Sequence, residues 1–161
     1  MMQPIIRPIK SSDDAALSKL IKSVLTEFKA NKPGTAYFDE STNHLSVVFE
    51  NPKSVYWVIE ENGAVIGGGG IFPTENLPEG TCELVKLYLY PTARGRGLGK
   101  AVMDKCFTSA KELGYENVYL ESMPELNQAV SMYERMGFEK LCSSLGNSGH
   151  FGCDIWMVKK L

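Results

Sequence analysis

The chain has 161 residues, 43% of them apolar and 22% charged, with a formal net charge of −2. This length and composition predict one globular domain over residues 1–161. The absence of a basic stripe argues against nucleic acid as a partner. Apolar stretches are too short to span a bilayer, and residues 1–7 lack the features of a signal peptide. We therefore expect a cytoplasmic protein that does not act at a membrane.

Cysteine and histidine usage gives little support for disulfides or a metal site. The four cysteines form no Cys-x-x-Cys pair: Cys82, Cys106, Cys142 and Cys153. In a chain without a secretion signal they are expected to be small buried thiols. His150 lies three residues before Cys153, but His44 is the only other histidine. A full ligand set is hard to assemble from these residues, so no metal is predicted.

The first 50 residues predict one strand and two helices. Residues 5–9 alternate between apolar and polar side chains, as in a strand. Residues 11–14 (SSDD) carry side-chain oxygens suited to a helix N-cap. The apolar residues that follow have helical spacing up to Pro33 and Gly34, and a shorter helix is expected over 41–50.

A β-hairpin is predicted next. Residues 55–59 are strongly β-forming, and Asn62 and Gly63 suit a tight turn into a return strand over 64–72. That return strand contains four consecutive glycines at 67–70. Glycines weaken a strand, so the run indicates either a bulge or close backbone approach, or a merely irregular strand.

The second half alternates strands with helices. Strands are predicted over 82–90, 117–121, 138–142 and 153–159, and helices over 97–113 and 124–136. Gly114 and Gly137 each follow the end of a predicted helix, where a C-terminal glycine is favoured. The element order predicts an α/β (α+β) fold, with a mixed sheet covered by helices on both faces.

A glycine-rich and cation-rich segment joins a predicted strand to a predicted helix. It consists of Arg94, Gly95, Arg96, Gly97, Leu98, Gly99 and Lys100. A helix N-terminus offers free N–H groups and a positive dipole end, and glycines let a ligand approach the backbone. The three cations add charge where phosphates would lie. The segment therefore predicts a diphosphate-binding loop.

Two common phosphate-binding motifs, the P-loop and the dinucleotide-binding fingerprint, do not fit the spacing of this segment. A P-loop requires a glycine at position 94 and a hydroxyl residue after Lys100, whereas Arg94 and Ala101 stand there. A dinucleotide fingerprint requires Gly-x-Gly-x-x-Gly, whereas this segment has Gly-x-Gly-x-Gly.

The segment resembles motif A of the GNAT N-acetyltransferase superfamily, Arg/Gln-x-x-Gly-x-Gly/Ala. Upstream, residues 87–91 (LYLYP) are similar to the strand and proline that precede that motif. Downstream, residues 127–138 (NQAVSMYERMGF) resemble the family's second motif, with its Asn, Ala, Tyr and Gly-Phe positions. The resemblance covers nearly the whole chain. It implies one GNAT domain with a mostly antiparallel central sheet, and acetyl-CoA as the cosubstrate.

The resemblance also implies where acetyl-CoA binds. The backbone of Leu87 and Leu89 would pair with the pantetheine arm like an added strand, provided that the neighbouring strand splays away. The N–H of Leu89 would stabilise the thioester oxyanion. Residues 94–100 would bind the diphosphate. Asn127 would hydrogen-bond the pantetheine, or else serve only its own helix end.

Two further residues are implied to act in the chemistry. Tyr133 would protonate the departing thiolate, although its position alone suits core packing. Glu83 resembles the strand glutamate that some members use as a base. The alternation predicts that it shares a strand face with Leu87 and Leu89. Glu121 is the reserve candidate, and a surface or salt-bridged carboxylate is the alternative for both.

The predicted activity is transfer of the acetyl group to a primary amine of a small molecule or peptide by direct attack. A catalytically silent acyl-CoA-binding sensor is the alternative. The acceptor site is expected from residues 30–50, 71–80 and 143–152, whose acids would suit a cationic amine. A homodimer is plausible by family analogy alone.

Overall fold

A computed structural model describes residues 3–161. Met1 and Met2 lie outside the described residues; they belong to the predicted domain and to the N-terminal segment expected to lack signal-peptide features. The seven strands are β1 Ile5–Pro8, β2 Val55–Glu61, β3 Ala64–Phe72, β4 Thr81–Leu89, β5 Asn117–Ser122, β6 Glu139–Leu141 and β7 Ile155–Lys160. The four α-helices are α1 Asp14–Glu27, α2 Leu45–Val48, α3 Leu98–Glu112 and α4 Asn127–Arg135. Within residues 3–161, no helix is both long and apolar enough to cross a bilayer.

The strands form one seven-stranded sheet in the order β1-β2-β3-β4-β5-β7-β6. Every neighbouring pair is antiparallel except β4 and β5, which are parallel. Helices α1 and α2 bury their apolar residues on one face, and α3 and α4 on the other. The predicted mixed, mostly antiparallel sheet with helices on both faces is confirmed.

Each face has its own core, built from the predicted apolar stripes. On the first face, the stripe of α1 from Leu17 to Leu25 packs against Tyr56 and Val58 of β2. On the second, Val102 and other residues of α3 pack against the opposite side of the sheet. Burial of these stripes is what holds both helices to the sheet.

Some predicted boundaries are wrong. The helix expected over 41–50 is a 3₁₀ turn, Glu40–Asn43, followed by the short α2, because the non-helical backbone of His44 (φ −148°, ψ 55°) interrupts it. The N-cap chemistry predicted for residues 11–14 is found at the 3₁₀ turn Ser11–Asp13, which leads into α1: Asp13 accepts from the N–H of Lys10, the N-cap of that turn. The N-cap of α1 itself makes no side-chain cap bond. Asp13 also pairs with Arg7, and Asp14 accepts from the backbone N–H of Ser46.

The cysteines follow the prediction in part. All four are free thiols, and Cys82 and Cys106 are fully buried. Cys153 is partly buried, but Cys142 is exposed. The expectation of burial is wrong for Cys142 because it follows β6, which lies at the edge of the sheet.

The glycine run of β3 is required by close approach. A Cβ atom at Gly68 would lie 2.7 Å from the Tyr56 ring, and one at Gly70 would lie 2.5 Å from the Val55 carbonyl oxygen. The pairing of β3 with β4 also shifts register between Gly68 and Gly70. Of the two alternatives left open by the sequence, a bulge with close approach is the one observed.

We expect Gly70→Ala to lower the free energy of unfolding by about 1–3 kcal/mol, because its methyl group would overlap the β2 backbone. The measurement is urea-induced unfolding. Gly99→Ala is the matched control: a Cβ there has only the Met132 sulfur within 4 Å, at 3.8 Å, and alanine favours the helix. Equal stability of the two variants would contradict the close-approach argument.

Candidate active site

Strands β4 and β5 separate part way along their length. Their pairing covers only residues 81–83 of β4 with residues 117–119 of β5, although the strands continue to Leu89 and Ser122. The splay that pairing of Leu87 and Leu89 with a pantetheine arm requires is therefore present. A cleft of about 620 Å³ opens at this point, lined by the second half of β4, the end of β5, the loop before α3 and one side of α4.

A β-bulge at Lys86 shapes the cleft wall. Lys86 has φ +53°, a conformation that a non-glycine residue rarely adopts. The hydroxyl of Tyr56, a residue only 1% exposed, donates to the Lys86 carbonyl oxygen at 2.8 Å. The bare glycine backbone of β3 leaves room for that ring to cross beneath it. The glycine run and the bulge are thus two parts of one arrangement.

The bulge corrects one sequence prediction. Leu84 lies in the core beside α3, and Leu87 and Leu89 pack against that same core. Because the bulge inserts a residue between them, the alternation changes parity, and Glu83 lies on the opposite face of the sheet from Leu87 and Leu89. The predicted shared face is therefore wrong for Glu83.

The backbone of Leu89 has a free side. The N–H of Tyr90 bonds the Ile66 carbonyl on β3 at 3.0 Å. Backbone groups alternate in direction along a strand, so the N–H of Leu89 points away from β3, into the splay. Leu87 has the same parity. Both residues, together with Tyr88, line the cleft.

The glycine-rich loop leads into α3 as predicted. Gly95 and Gly97 have φ values of +72° and +75°, and Gly97 is the N-cap of α3. Six of the loop's seven residues line the cleft: Arg94, Gly95, Gly97, Leu98, Gly99 and Lys100. The N–H groups of the first turn therefore open onto the cleft. Arg96 is not among its lining residues and pairs with Glu61.

The Arg94 side chain ties this loop to the rest of the fold. Its guanidinium donates to the Leu89 carbonyl oxygen at 2.9 and 3.1 Å and to Glu27 of α1 at 2.7 and 2.9 Å. It also lies 5.0 Å from the centre of the Phe28 ring. The donors of Arg94 are largely occupied by the protein itself, so its position supports the loop and the end of β4.

Tyr133 of α4 is both a core residue and a cleft residue. It is 8% exposed, its ring packs edge-on against Phe138, and it lines the cleft. Burial raises the pKa of its phenol above the ordinary value of 10.0, so the hydroxyl keeps its proton at neutral pH. Asn127 begins α4, but the residues of that helix that line the cleft start at Gln128.

Two carboxylates, those of Glu83 in the first half of β4 and Glu121 near the end of β5, lie close together. Glu83 is 3% exposed and accepts from the Thr74 hydroxyl at 2.5 Å. Burial, together with the nearby negative charge of Glu121, raises the pKa of Glu83 to about 7 despite that hydrogen bond. Glu121, which lines the cleft, accepts from the hydroxyls of Tyr119 and Ser148.

A basic pair lies beside these carboxylates. Asp39 Oδ2 accepts from Lys86 Nζ at 2.6 Å and contacts His150 Nε2 at 2.5 Å. Burial opposes the charge of Asp39, but His150 and Lys86 outweigh it and lower its pKa to about 2. One atom each of Glu83, Glu121 and His150 lie within 4.8 Å of one another.

The sequence alone does not indicate this cluster. Asp39 falls among the acids of the predicted acceptor segments, and His150 has only Cys153 as a nearby potential partner in the chain. Their partner Lys86 lies on a strand far from both in the chain. No local spacing links positions 39, 86 and 150, so only the fold brings them together.

Comparison with known proteins agrees with this geometry. The sequence profile of the acetyltransferase (GNAT) family matches residues 18–138. The chain is 36% identical over 160 residues to the uncharacterized N-acetyltransferase YjgM of Escherichia coli K12, covering 98% of this chain and 95% of that protein.

Solved structures have the same fold. A GNAT-family acetyltransferase from Staphylococcus aureus Mu50 superposes with a TM-score of 0.84 at 18% identity over 99% of both chains. The PaiA N-acetyltransferase of Thermoplasma acidophilum, solved in complex with coenzyme A, superposes with a TM-score of 0.77 at 18% identity, covering 99% of this chain and all of that one.

The chain therefore belongs to the GNAT family of acetyl-CoA-dependent acyltransferases.

The raised pKa of Glu83 predicts a pH-dependent stability. A carboxyl group whose pKa rises from 4.5 to about 7 on folding stabilises the protein fully below pH 4.5, and this contribution is lost as pH rises to 7. The free energy of unfolding should fall by up to about 3 kcal/mol across that window because of Glu83. Denaturant unfolding at each pH measures it.

Glu83→Gln should flatten this part of the stability profile, whereas Glu75→Gln, in the loop after β3, should not. A wild-type profile that matched that of Glu83→Gln would contradict a buried, titrating Glu83.

Proposed function

We propose that the protein is an N-acetyltransferase that transfers the acetyl group of acetyl-CoA to a primary amine of a small molecule or peptide by direct attack. The observation that carries the proposal is the free edge of β4, which faces the cleft directly beside the N-terminus of α3. One site of this kind offers a strand partner for an extended arm and an anion site for a diphosphate.

The cosubstrate would lie along the splay. Leu87 and Leu89 would bond the pantetheine arm, and the N–H of Leu89, which points away from β3, would donate to the thioester oxyanion. The backbone of the loop over 95–99 would bind the diphosphate, with Lys100 adding charge. Lys100 now pairs with Asp104 at 2.8 Å on an exposed surface, a contact weak enough to exchange. Asn127 is proposed to bond the pantetheine from the start of α4.

Arg94 and Arg96 are proposed to play different roles. The guanidinium of Arg94 bonds both the Leu89 carbonyl oxygen and the Glu27 carboxylate, and it would thereby hold the loop in place. Arg96 pairs with Glu61 at the surface, outside the cleft lining, so its charge would act on the diphosphate at longer range.

The chemistry needs one base and one acid. An alkylamine with a pKa of ~10.4 is almost wholly protonated at neutral pH. Glu83 would take a proton from the ammonium, directly or through water, since a base with a pKa near the working pH is the most effective. The amine nitrogen then attacks the thioester carbon, the C–S bond breaks, and Tyr133 gives its proton to the leaving thiolate. The nitrogen loses its second proton as the amide forms, and this proton returns through water to the Tyr133 phenolate, while Glu83 releases its own proton to solvent.

Glu121 remains the second candidate for the base. It lines the cleft, but the Tyr119 and Ser148 hydroxyls already bond its two oxygens. Glu83 has one such bond, from Thr74. This difference favours Glu83 for proton transfer.

A cytoplasmic location, a homodimer and the absence of a catalytic metal stay predictions.

The test of the proposal is release of free thiol from acetyl-CoA in the presence of a panel of primary amines and lysine-containing peptides. We expect amine-dependent release with at least one class of acceptor, accompanied by an acetylated product detected by mass spectrometry. Tight acetyl-CoA binding without release from any of them would favour the catalytically silent sensor.

Tyr133→Phe should lower kcat by about 10²- to 10⁴-fold, because it removes the proton donor for the thiolate. The acetyl-CoA dissociation constant should remain within about twofold, since the ring and its packing against Phe138 are retained. Steady-state thiol release and calorimetric titration measure the two quantities.

Tyr115→Phe is the matched control. Its hydroxyl donates to the Lys53 carbonyl oxygen at 2.7 Å, away from the cleft-lining residues, so kcat should be unchanged. A Tyr133→Phe enzyme with wild-type kcat would remove Tyr133 from the mechanism.

A further inference from the structure

The four glycines of β3 have different surroundings on the two faces of the sheet, because successive residues of a strand point to opposite sides. Cβ atoms at Gly68 and Gly70 would meet the ring of Tyr56, which belongs to the core on the α1 face. Cβ atoms at Gly67 and Gly69 would instead meet side chains of the core on the α3 face. The Tyr56 ring therefore requires only the first pair of glycines.

Gly69 lies directly beside the side chain of Leu87. A Cβ atom at Gly69 would lie 2.8 Å from Leu87 Cδ1 and 3.1 Å from Val102 Cγ1 of α3. Carbon atoms in ordinary contact are about 3.5–4.0 Å apart. The Leu87 side chain thus occupies space that any residue other than glycine at position 69 would fill.

Gly67 has the same relation to Leu89, its partner across the β3–β4 ladder. A Cβ atom at Gly67 would lie 2.8 Å from Leu89 Cγ and 3.0 Å from Ile59 Cδ1. Both glycines lie in buried strand backbone, and neither has a positive φ. The backbone itself would therefore accept alanine, and the cost of that change would come from the added methyl group.

A methyl group at position 69 would leave Leu87 one direction in which to move. Val102 is fully buried on the α3 side, and β3 itself blocks the side toward Gly69. On the remaining side β5 has separated from β4, and Leu87 lines the cleft there. The side chain would have to move into the cleft by roughly 1 Å, the difference between 2.8 Å and ordinary carbon contact.

We propose that Gly67 and Gly69 are positioning residues for the cosubstrate. They allow the side chains of Leu89 and Leu87 to lie against β3, and they thereby keep the cleft wide enough for the pantetheine arm. The inference rests on the proposed function, which places that arm along β4. Paired strands lie about 4.8 Å apart, so a displacement of roughly 1 Å beside an arm that pairs in this way is a substantial part of the spacing.

This role concerns the arm and not the diphosphate. The loop over 95–99 lies at the N-terminus of α3, whereas the atoms nearest to a Cβ at Gly67 or Gly69 belong to Leu87, Leu89 and their neighbours. A ligand that carries phosphate groups but no pantetheine arm should therefore be insensitive to these glycines. Acetyl-CoA should be sensitive to them.

The affinities for two ligands test the proposal without turnover. The probes are acetyl-CoA and adenosine 3′,5′-bisphosphate, which lacks the arm, and calorimetric titration gives both dissociation constants. We expect Gly69→Ala to raise the acetyl-CoA constant at least about 10-fold and to leave the bisphosphate constant within about twofold. Unchanged acetyl-CoA affinity, or an equal loss for both ligands, would overturn the proposal.

Two second-site variants locate the crowding. In a Leu87→Ala background, Gly69→Ala should change the acetyl-CoA constant by less than about threefold, because the side chain that it displaces is absent. Val102→Ala combined with Gly69→Ala should recover most of the affinity, since Leu87 can then move toward α3 instead of into the cleft. An undiminished effect of Gly69→Ala in both backgrounds would contradict the role of Leu87.

Ile66→Ala separates affinity from stability. Ile66 lies on the same strand and packs against the same core, but it is outside the cleft lining. Its loss should lower the free energy of unfolding and leave the acetyl-CoA constant at the wild-type value, since nothing is pushed into the cleft. If Gly69→Ala does not fold, the protein that combines it with Leu87→Ala must fold and bind acetyl-CoA as Leu87→Ala does. Failure of that protein to bind would refute the proposal.

These outcomes are distinguishable from failure of the proposed function. A wild-type protein that bound acetyl-CoA no more tightly than the bisphosphate would contradict the placement of the arm along β4, and the role of the glycines with it. A wild-type preference for acetyl-CoA that Gly69→Ala left intact would overturn the role of the glycines alone. Absence of thiol release would count against acetyl transfer and would leave these affinities as they are.

Discussion

The hydrogen bond from Tyr56 to the carbonyl oxygen of Lys86 is the contact on which the site geometry depends. It holds a β-bulge with a positive φ in a strand that would otherwise continue regularly. That conformation is unfavourable for a lysine and persists only where its surroundings compensate. Here the compensation is a fully buried tyrosine ring, admitted by the glycines of β3. The bulge in turn decides which side chains of β4 face which core.

The change of parity places two kinds of group on the two faces of β4. Beyond the bulge, Leu87 and Leu89 face the α3 core while their backbone borders the splay. Before it, Glu83 lies on the opposite face, close to Glu121 of β5 and to His150 of the β6–β7 loop. Under the proposed function, one strand would serve the acyl donor with its backbone and the acceptor with a side chain.

The glycine-rich loop beside the cleft could be predicted from the sequence because its signals are local. The loop over 94–100 carries its glycines, cations and helix start within a few residues, and the loop does line the cleft. The α1 stripe and the β2–β3 hairpin were equally readable, since periodicity and turn chemistry are properties of short segments. The short-range signal failed at His44, where a non-helical backbone interrupts the predicted helix.

By itself, then, the sequence determined the order of elements, the mixed sheet, the glycine-rich helix start and, by resemblance, the family. Only the tertiary structure decided the face of Glu83, the support role of the Arg94 fork and the meeting of Asp39, Lys86 and His150. The physical reason is the separation along the chain of the residues that interact. A bulge changes strand parity through one hydrogen bond between distant residues, and a cluster drawn from three separate segments leaves no periodic trace in the chain.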